Sequence, residues 1–88
     1  MKKIIIDGAL LKSREKAYPY LFEALGLVFG RNLDALYDVL TDLSDTEISL
    51  INIPLMIENL GGYGEKMLAC FEDADTANPM LEVDFEQQ

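Results

Sequence analysis

Histidine does not occur anywhere in the 88 residues of this chain, and cysteine occurs once, at Cys70. Without histidine there is no imidazole general base, no Ser-His or Cys-His nucleophile pair, and none of the commonest metal ligand. Much of ordinary hydrolytic chemistry is thereby out of reach. A single cysteine cannot close an internal disulfide, so nothing points to an oxidising compartment. The thiol reads as a packed core group, and the chain is expected in the cytoplasm. Long apolar runs are missing too. Met1-Lys2-Lys3-Ile4-Ile5-Ile6 begins like an export signal, but Asp7 and Gly8 cut it short, and no stretch approaches the roughly 20 apolar residues of a membrane helix.

Positive charge is also scarce: 7 basic residues stand against 16 acidic ones, for a formal net charge of −9. A surface of that sign is repelled by nucleic acid and by anionic membranes, and it attracts basic proteins, faster at low salt. The same acidity also serves plain solubility, so the placement of the charges has to decide between the two. With 50% hydrophobic residues, the chain can bury roughly 60 to 65% of its unfolded surface around one core. One domain over residues 1–88 is expected, without linker, repeat or low-complexity segment.

Strand and helix signals alternate along the chain. Lys3-Ile4-Ile5-Ile6 reads as a strand buried on both faces, stopped by Asp7-Gly8. Ser13 is a candidate N-cap for a helix through Ala24 or Leu25, with Lys16 where a capping box prefers Glu; Pro19 moves the expected start toward Tyr18, and Gly26 follows the end. Asn32 caps the clearest helix, with Leu33, Leu36, Tyr37, Leu40 and Leu43 at helical spacing. Glu47 to Ile53 reads as a second strand ended by Pro54, and Leu55 to Leu60 as a short helix. Gly61-Gly62-Tyr63-Gly64 interrupts, Glu65 to Ala74 resumes helix with Met67, Leu68 and Phe71 inward, and Asn78-Pro79 turns into a last strand at Leu81 to Phe85. The class is α/β, with a small three-stranded parallel sheet whose central and most apolar strand is expected to be the first.

The clearest helix raises a problem. Asp34, Asp38, Asp42 and Asp45, with Thr41, fall within about 100° of arc, opposite the leucines, and Tyr37 lies on the border. Asp34 sits in the first turn, where the macrodipole favours a carboxylate; Asp38 and Asp42 lack that excuse. Like charges four apart cost roughly 0.2 to 0.5 kcal/mol per pair, and only Arg31 is placed to reach the first. A solvated acidic face is one reading, and a site for something positive is the other. Carboxylates on successive turns of one helix converge poorly on a metal, no EF-hand pattern is present, and acid/base work needs a cleft that splits two pKa values. A basic protein surface fits best. An enzyme using Asp34 and Asp38, with or without metal, and an acidic adaptor or antitoxin for a non-nuclease partner remain as rivals.

Other features have plain structural readings. Gly61-Gly62-Tyr63-Gly64 lacks the spacing and lysine of a phosphate loop and reads as a helix-breaking turn. Met56, Met67 and Met80 read as core filler, and Tyr18, Tyr20 and Phe22 as packing.

Gly30, Asn32-Leu33-Asp34-Ala35-Leu36, the aromatic Tyr37, Asp38 and Leu40-Thr41 together resemble the signature of barstar-type ribonuclease inhibitors. The likeness extends from Ile6-Asp7-Gly8 through Phe71 and Ala74 to the last strand. It implies a three-stranded parallel sheet with helices packed on it, no catalysis and no cofactor, and a one-to-one complex with a basic, secreted ribonuclease of the barnase type, held inside the producing cell. In such inhibitors the signature helix and the preceding loop plug the active site, with carboxylates in place of substrate phosphate. By position, Asp38 is then the central anchor with Asp34 beside it; Asn32, Tyr37 and Thr41 complete the contact with Phe29, Gly30 and Asp42, and Asp73 is peripheral. The chain departs from the family pattern in a short loop with Val28 at an aromatic position, and at Arg31, Tyr37, Asp42 and Leu43, which leaves room for a cognate ribonuclease other than barnase or for another basic toxin.

Overall fold

A computed structural model describes residues 1–86, so the last two residues of the expected 1–88 domain lie outside the described residues. The elements are β1 (Lys2–Asp7), a 3-10 turn (Gly8–Leu10), α1 (Arg14–Leu25), α2 (Leu33–Asp42), β2 (Thr46–Ile51), α3 (Ile53–Leu60), α4 (Gly62–Ala77) and β3 (Leu81–Phe85). All strand pairs are parallel, in the spatial order β1-β2-β3. This is the α/β class with the three-stranded parallel sheet read from the sequence. Two crossovers that step in the same direction, with the right hand that parallel connections favour, put every helix on one side of the sheet. Ile4, Ile48 and Val83 align in one inward row, and Ile6, Leu50 and Phe85 in the next. Lys3, Ile5, Glu82 and Asp84 point the other way, into solvent.

The one-sided sheet corrects two readings. β1 is an edge strand, not the central one, and it is buried on one face only: Ile4 and Ile6 are inside, while Ile5 is 64% exposed. Centrality demands a doubly apolar strand only where both faces are covered. Here β2 holds the centre and keeps half-exposed Glu47 and Ser49 on its open side.

Local chemistry explains the element ends. Ser13 Oγ accepts from Lys16 N at 3.2 Å, so α1 starts at Arg14 and not near Tyr18; Pro19 removes one helical hydrogen bond, to the exposed Glu15. Gly26 closes α1 in the left-handed region at φ 78°. The second strand stops at Ile51, because Asn52 turns to φ 54° and Pro54 enters α3 near its first position. Of Gly61 to Gly64, only Gly61 breaks the helix. Gly62, Tyr63 and Gly64 begin α4, and a Cβ at Gly64 would lie 3.0 Å from the Met56 carbonyl, which keeps α3 and α4 close.

The core gathers Ile4, Ile6, Leu21, Leu36, Leu40, Ile48, Leu50, Met67 and Phe71 between sheet and helices. Tyr18, Met56 and Cys70 are buried as well, whereas Met80 is 52% exposed and is not core filler. At the carboxyl ends of β1 and β2, Asp7 Oδ1 accepts from Ala9 N at 2.9 Å and from Asn52 Nδ2 at 2.8 Å. Gly8 is required there, since an added Cβ would fall 2.3 Å from the Asn52 carbonyl oxygen.

Asn78, 6% exposed, closes the other end. Its Nδ2 donates to the Leu40 and Leu43 carbonyls at 3.1 and 2.8 Å, and its Oδ1 accepts from Met80 N at 3.0 Å. One side chain thus caps the C-terminus of α2 and the turn into β3. Asn78→Ala is expected to lower unfolding free energy by about 2–4 kcal/mol, because several buried backbone groups lose their partner; Asn59→Ala, at an exposed position, should change it little. Gly8→Ala is expected to cost about 3 kcal/mol or more through the backbone clash. Urea denaturation of the three variants measures both.

Candidate functional site

The N-terminus of α2 is made by Asn32, whose Oδ1 accepts from Ala35 N at 2.7 Å. The Asn32 amide N–H groups have no hydrogen-bond partner among the described residues and remain available as donors. Leu36 and Leu40 bury the inner face of the helix, so the opposite face must meet solvent. Asp34, Asp38 and Asp42 lie on it, all exposed, and span about 12 Å of helix axis. Thr41 Oγ1 donates back to the Tyr37 carbonyl at 2.9 Å, so its remaining lone pairs can only accept.

Asp45, placed with the row by periodicity alone, does not belong to it. The helix ends at Asp42, and Asp45 adopts φ 51° in the connection to β2, where its carboxylate meets the Met1 ammonium at 3.5 Å. Among the described residues that is the one ion pair within 4.0 Å. Like the remaining carboxylates of the described residues, Asp34, Asp38, Asp42 and Asp73 have no cation within 4.0 Å. Arg31 does not supply one: its guanidinium lies over the Phe22 ring, 5.5 Å from the centroid. Nor is there a basic residue in the last turn of α2, so Asp42 faces the negative end of the helix dipole at a cost of about 0.3–1 kcal/mol.

Two shallow depressions flank the acidic face. On one side Leu27 from the loop after α1 joins Asp38, Thr41, Asp42 and Leu43. On the other, Asp34 and Tyr37 from α2 meet Lys66, Cys70 and Asp73 from α4. The structure so brings Asp34, Tyr37 and Asp73 into one place and Asp38, Thr41 and Asp42 into another, joined along one helix. Phe29 points inward instead, stacked edge-on against Phe22 at 4.8 Å and Tyr18 at 6.3 Å. It anchors the loop. Gly30 lets that loop close on the helix, since a Cβ would stand 3.2 Å from Ala35 Cβ and Asn32 Nδ2. The sequence reading did not single out Leu27, 41% exposed and lining the depression beside Asp38, and it noted Val28, 80% exposed, only as a departure from the family pattern. Their signal was a pair of aliphatic residues stranded between Gly26 and Gly30.

Cys70 packs against the start of α2, with Sγ 3.6 Å from the Leu33 carbonyl. Burial, then the nearby Asp73 and Asp34 carboxylates, push its thiol up to about 11. Burial and the hydrogen bond to Tyr63 likewise raise the Tyr18 phenol far above its ordinary value.

Comparison with known proteins gives two findings. A family model described as "Barstar (barnase inhibitor)" matches residues 1–87. A protein of Bacillus subtilis (strain 168) named "Putative ribonuclease inhibitor YrdF" is 36% identical over 78 residues, which cover 84% of this chain and 86% of that protein.

The raised Cys70 and Tyr18 values fix a direction for alkaline stability. Both groups are neutral as acids, so an unfolded chain releases these protons first, and the folded state loses ground as pH rises. For Cys70 the contribution is complete below its ordinary value of 9.0 and is lost as pH climbs through about 11. Urea midpoints should therefore hold steady to about pH 9 and fall above it, and Cys70→Ala should flatten part of the fall. Alkylation of native Cys70 at pH 8 should be far slower than in urea.

Proposed function

The chain belongs to the barstar family of barnase inhibitors, and from that membership we propose that it is a protein inhibitor of a basic, secreted ribonuclease. It acts in the cytoplasm of the producing cell, one copy to one enzyme, by occupying the enzyme's active site without catalysing anything. The helix α2 and the loop from Leu27 to Arg31 form the plug.

The observation that carries this reading is the row of exposed carboxylates at four-residue spacing along one face of α2. A ribonuclease has to present cationic donors to RNA phosphate. A carboxylate held rigidly on a helix can take several such donors at once through charge-assisted hydrogen bonds. Asp38 is the central anchor because it stands mid-helix, with Asp34 and Asp42 one turn to either side. Asp73 extends the acidic surface from α4, and Tyr37 supplies an aromatic body with a polar tip. Thr41 accepts, and the Asn32 amide donates. Phe29 and Gly30 act indirectly, by holding the loop that carries exposed Leu27 and Val28 against the enzyme. The net charge of −9 steers the encounter.

Mixing the purified chain with a panel of secreted basic ribonucleases and following RNA cleavage tests the reading. Stoichiometric loss of activity with at least one member is expected. Asp38→Asn should weaken that complex by about 100-fold or more, since the enzyme's buried cation loses its partner, at about 3 kcal/mol or more. Asp45→Asn, which removes the same charge and tolerates the same left-handed backbone, should stay within about threefold. Association should slow as salt is raised. Equal effects of the two substitutions, or full activity across the panel, would overturn it.

A further inference from the structure

The chain holds 7 basic residues, and three of them, Arg14, Arg31 and Lys66, collect beside the start of α2. Arg14 lines one depression with Asn32, Asp34, Tyr63 and Lys66, and a second with Tyr18 and Arg31. Two of the three are held in place by rings. The Arg14 guanidinium lies 4.2 Å from the Tyr63 centroid and that of Arg31 5.5 Å from the Phe22 centroid. Those rings form one continuous aromatic ladder: Tyr63 is hydrogen-bonded to Tyr18, Tyr18 stacks edge-on against Phe29, and Phe29 against Phe22. A guanidinium stacked on such a ladder has already lost much of the rotamer freedom that binding would remove. In a strongly acidic chain, with Glu15 and Asp34 lining the same depressions, none of the three cations is ion-paired among the described residues.

Their location is awkward for an inhibitor that docks on a cationic cleft. Arg31 lies between Gly30 and Asn32, inside the plug. Buried against further positive charge it would be repelled, and buried against nothing it would be a stranded ion. Resting on the inhibitor reading, we propose that Arg14, Arg31 and Lys66 form a basic pole that receives carboxylates of the same ribonuclease, so that the cognate enzyme carries an acidic group beside its cationic phosphate site. The interface is then dipolar along α2: acid toward Asp38 and Asp42, base at the Asn32 end. Such a pattern fixes the direction in which the helix lies in the cleft. It also rejects basic ribonucleases that lack the acidic neighbour.

The test uses the opposite signs of two electrostatic expectations. If only net charge mattered, replacing a cation by Glu would tighten binding to a basic enzyme. The ribonuclease that the wild-type chain inhibits most strongly in the panel is the probe, and affinity is measured for Arg31→Glu, Lys66→Glu and Lys3→Glu, the last on the open sheet face. Lys66 is not stacked on a ring, so its replacement leaves the aromatic ladder intact, and thermal melting confirms that each variant is folded. Arg31→Glu and Lys66→Glu should each weaken binding about tenfold or more, while Lys3→Glu leaves it unchanged or slightly tighter. If all three behave like Lys3→Glu while Asp38→Asn still abolishes tight binding, the basic pole is wrong and the inhibitor reading stands. If the wild-type chain inhibits no member of the panel, both fall.

Discussion

The acidic face of α2 depends on the carboxamide of Asn78. A helix that ends on an aspartate with no basic residue in its last turn has poorly compensated terminal carbonyls, and Asn78 Nδ2 answers two of them, at Leu40 and Leu43. Because Asn78 also holds the turn into β3 through Met80 N, the end of α2 is tied to the end of α4 and to the sheet. Asn32 does the corresponding work at the N-terminus. Between these two asparagines the helix needs no stabilising charge pairs on its surface, and the surface is free to carry Asp34, Asp38 and Asp42.

That division of labour explains why a locally unfavourable pattern persists. Two like-charge spacings and a carboxylate at the negative end of the dipole together cost the helix about 1–2 kcal/mol. The burial of Leu36 and Leu40 and the caps at both ends offset it. The paired exception, Asp45, has left the helix for a left-handed turn and satisfies the Met1 ammonium. Asp34, Asp38 and Asp42 stand in one row on the rigid helix with Asp73 beside them on α4, where a partner of opposite charge can reach them without reorganising the chain.

Much of this was legible in the residues. Asn32, the leucine spacing and the aspartate rhythm located α2, and the strand and helix alternation located the parallel sheet. The failures share a physical cause, which is that periodicity cannot see what covers a face or where a cap intervenes. The run Ile4-Ile5-Ile6 looked doubly buried because nothing in it says that one face of the sheet stays bare. Asp45 fell on the acidic arc only if the helix were continued past its cap at Leu43. Gly62 and Gly64 looked like breakers, although Gly64 is there to let two helices approach. Nor does periodicity show that Phe29, half-buried, packs edge-on against Phe22 and so pins the loop.

The central claim is that a partner meets this protein through α2 and the loop before it, and not through the bare face of the sheet, the other large unpartnered surface. Backbone amide chemical shifts of the isotopically labelled chain, followed during titration with a ribonuclease that it inhibits, test that most directly. The account predicts that the largest changes fall between Leu27 and Leu43 and around Asp73, with Lys3, Ile5, Glu82 and Asp84 unaffected. Changes concentrated on those four strand residues, with α2 silent, would contradict it.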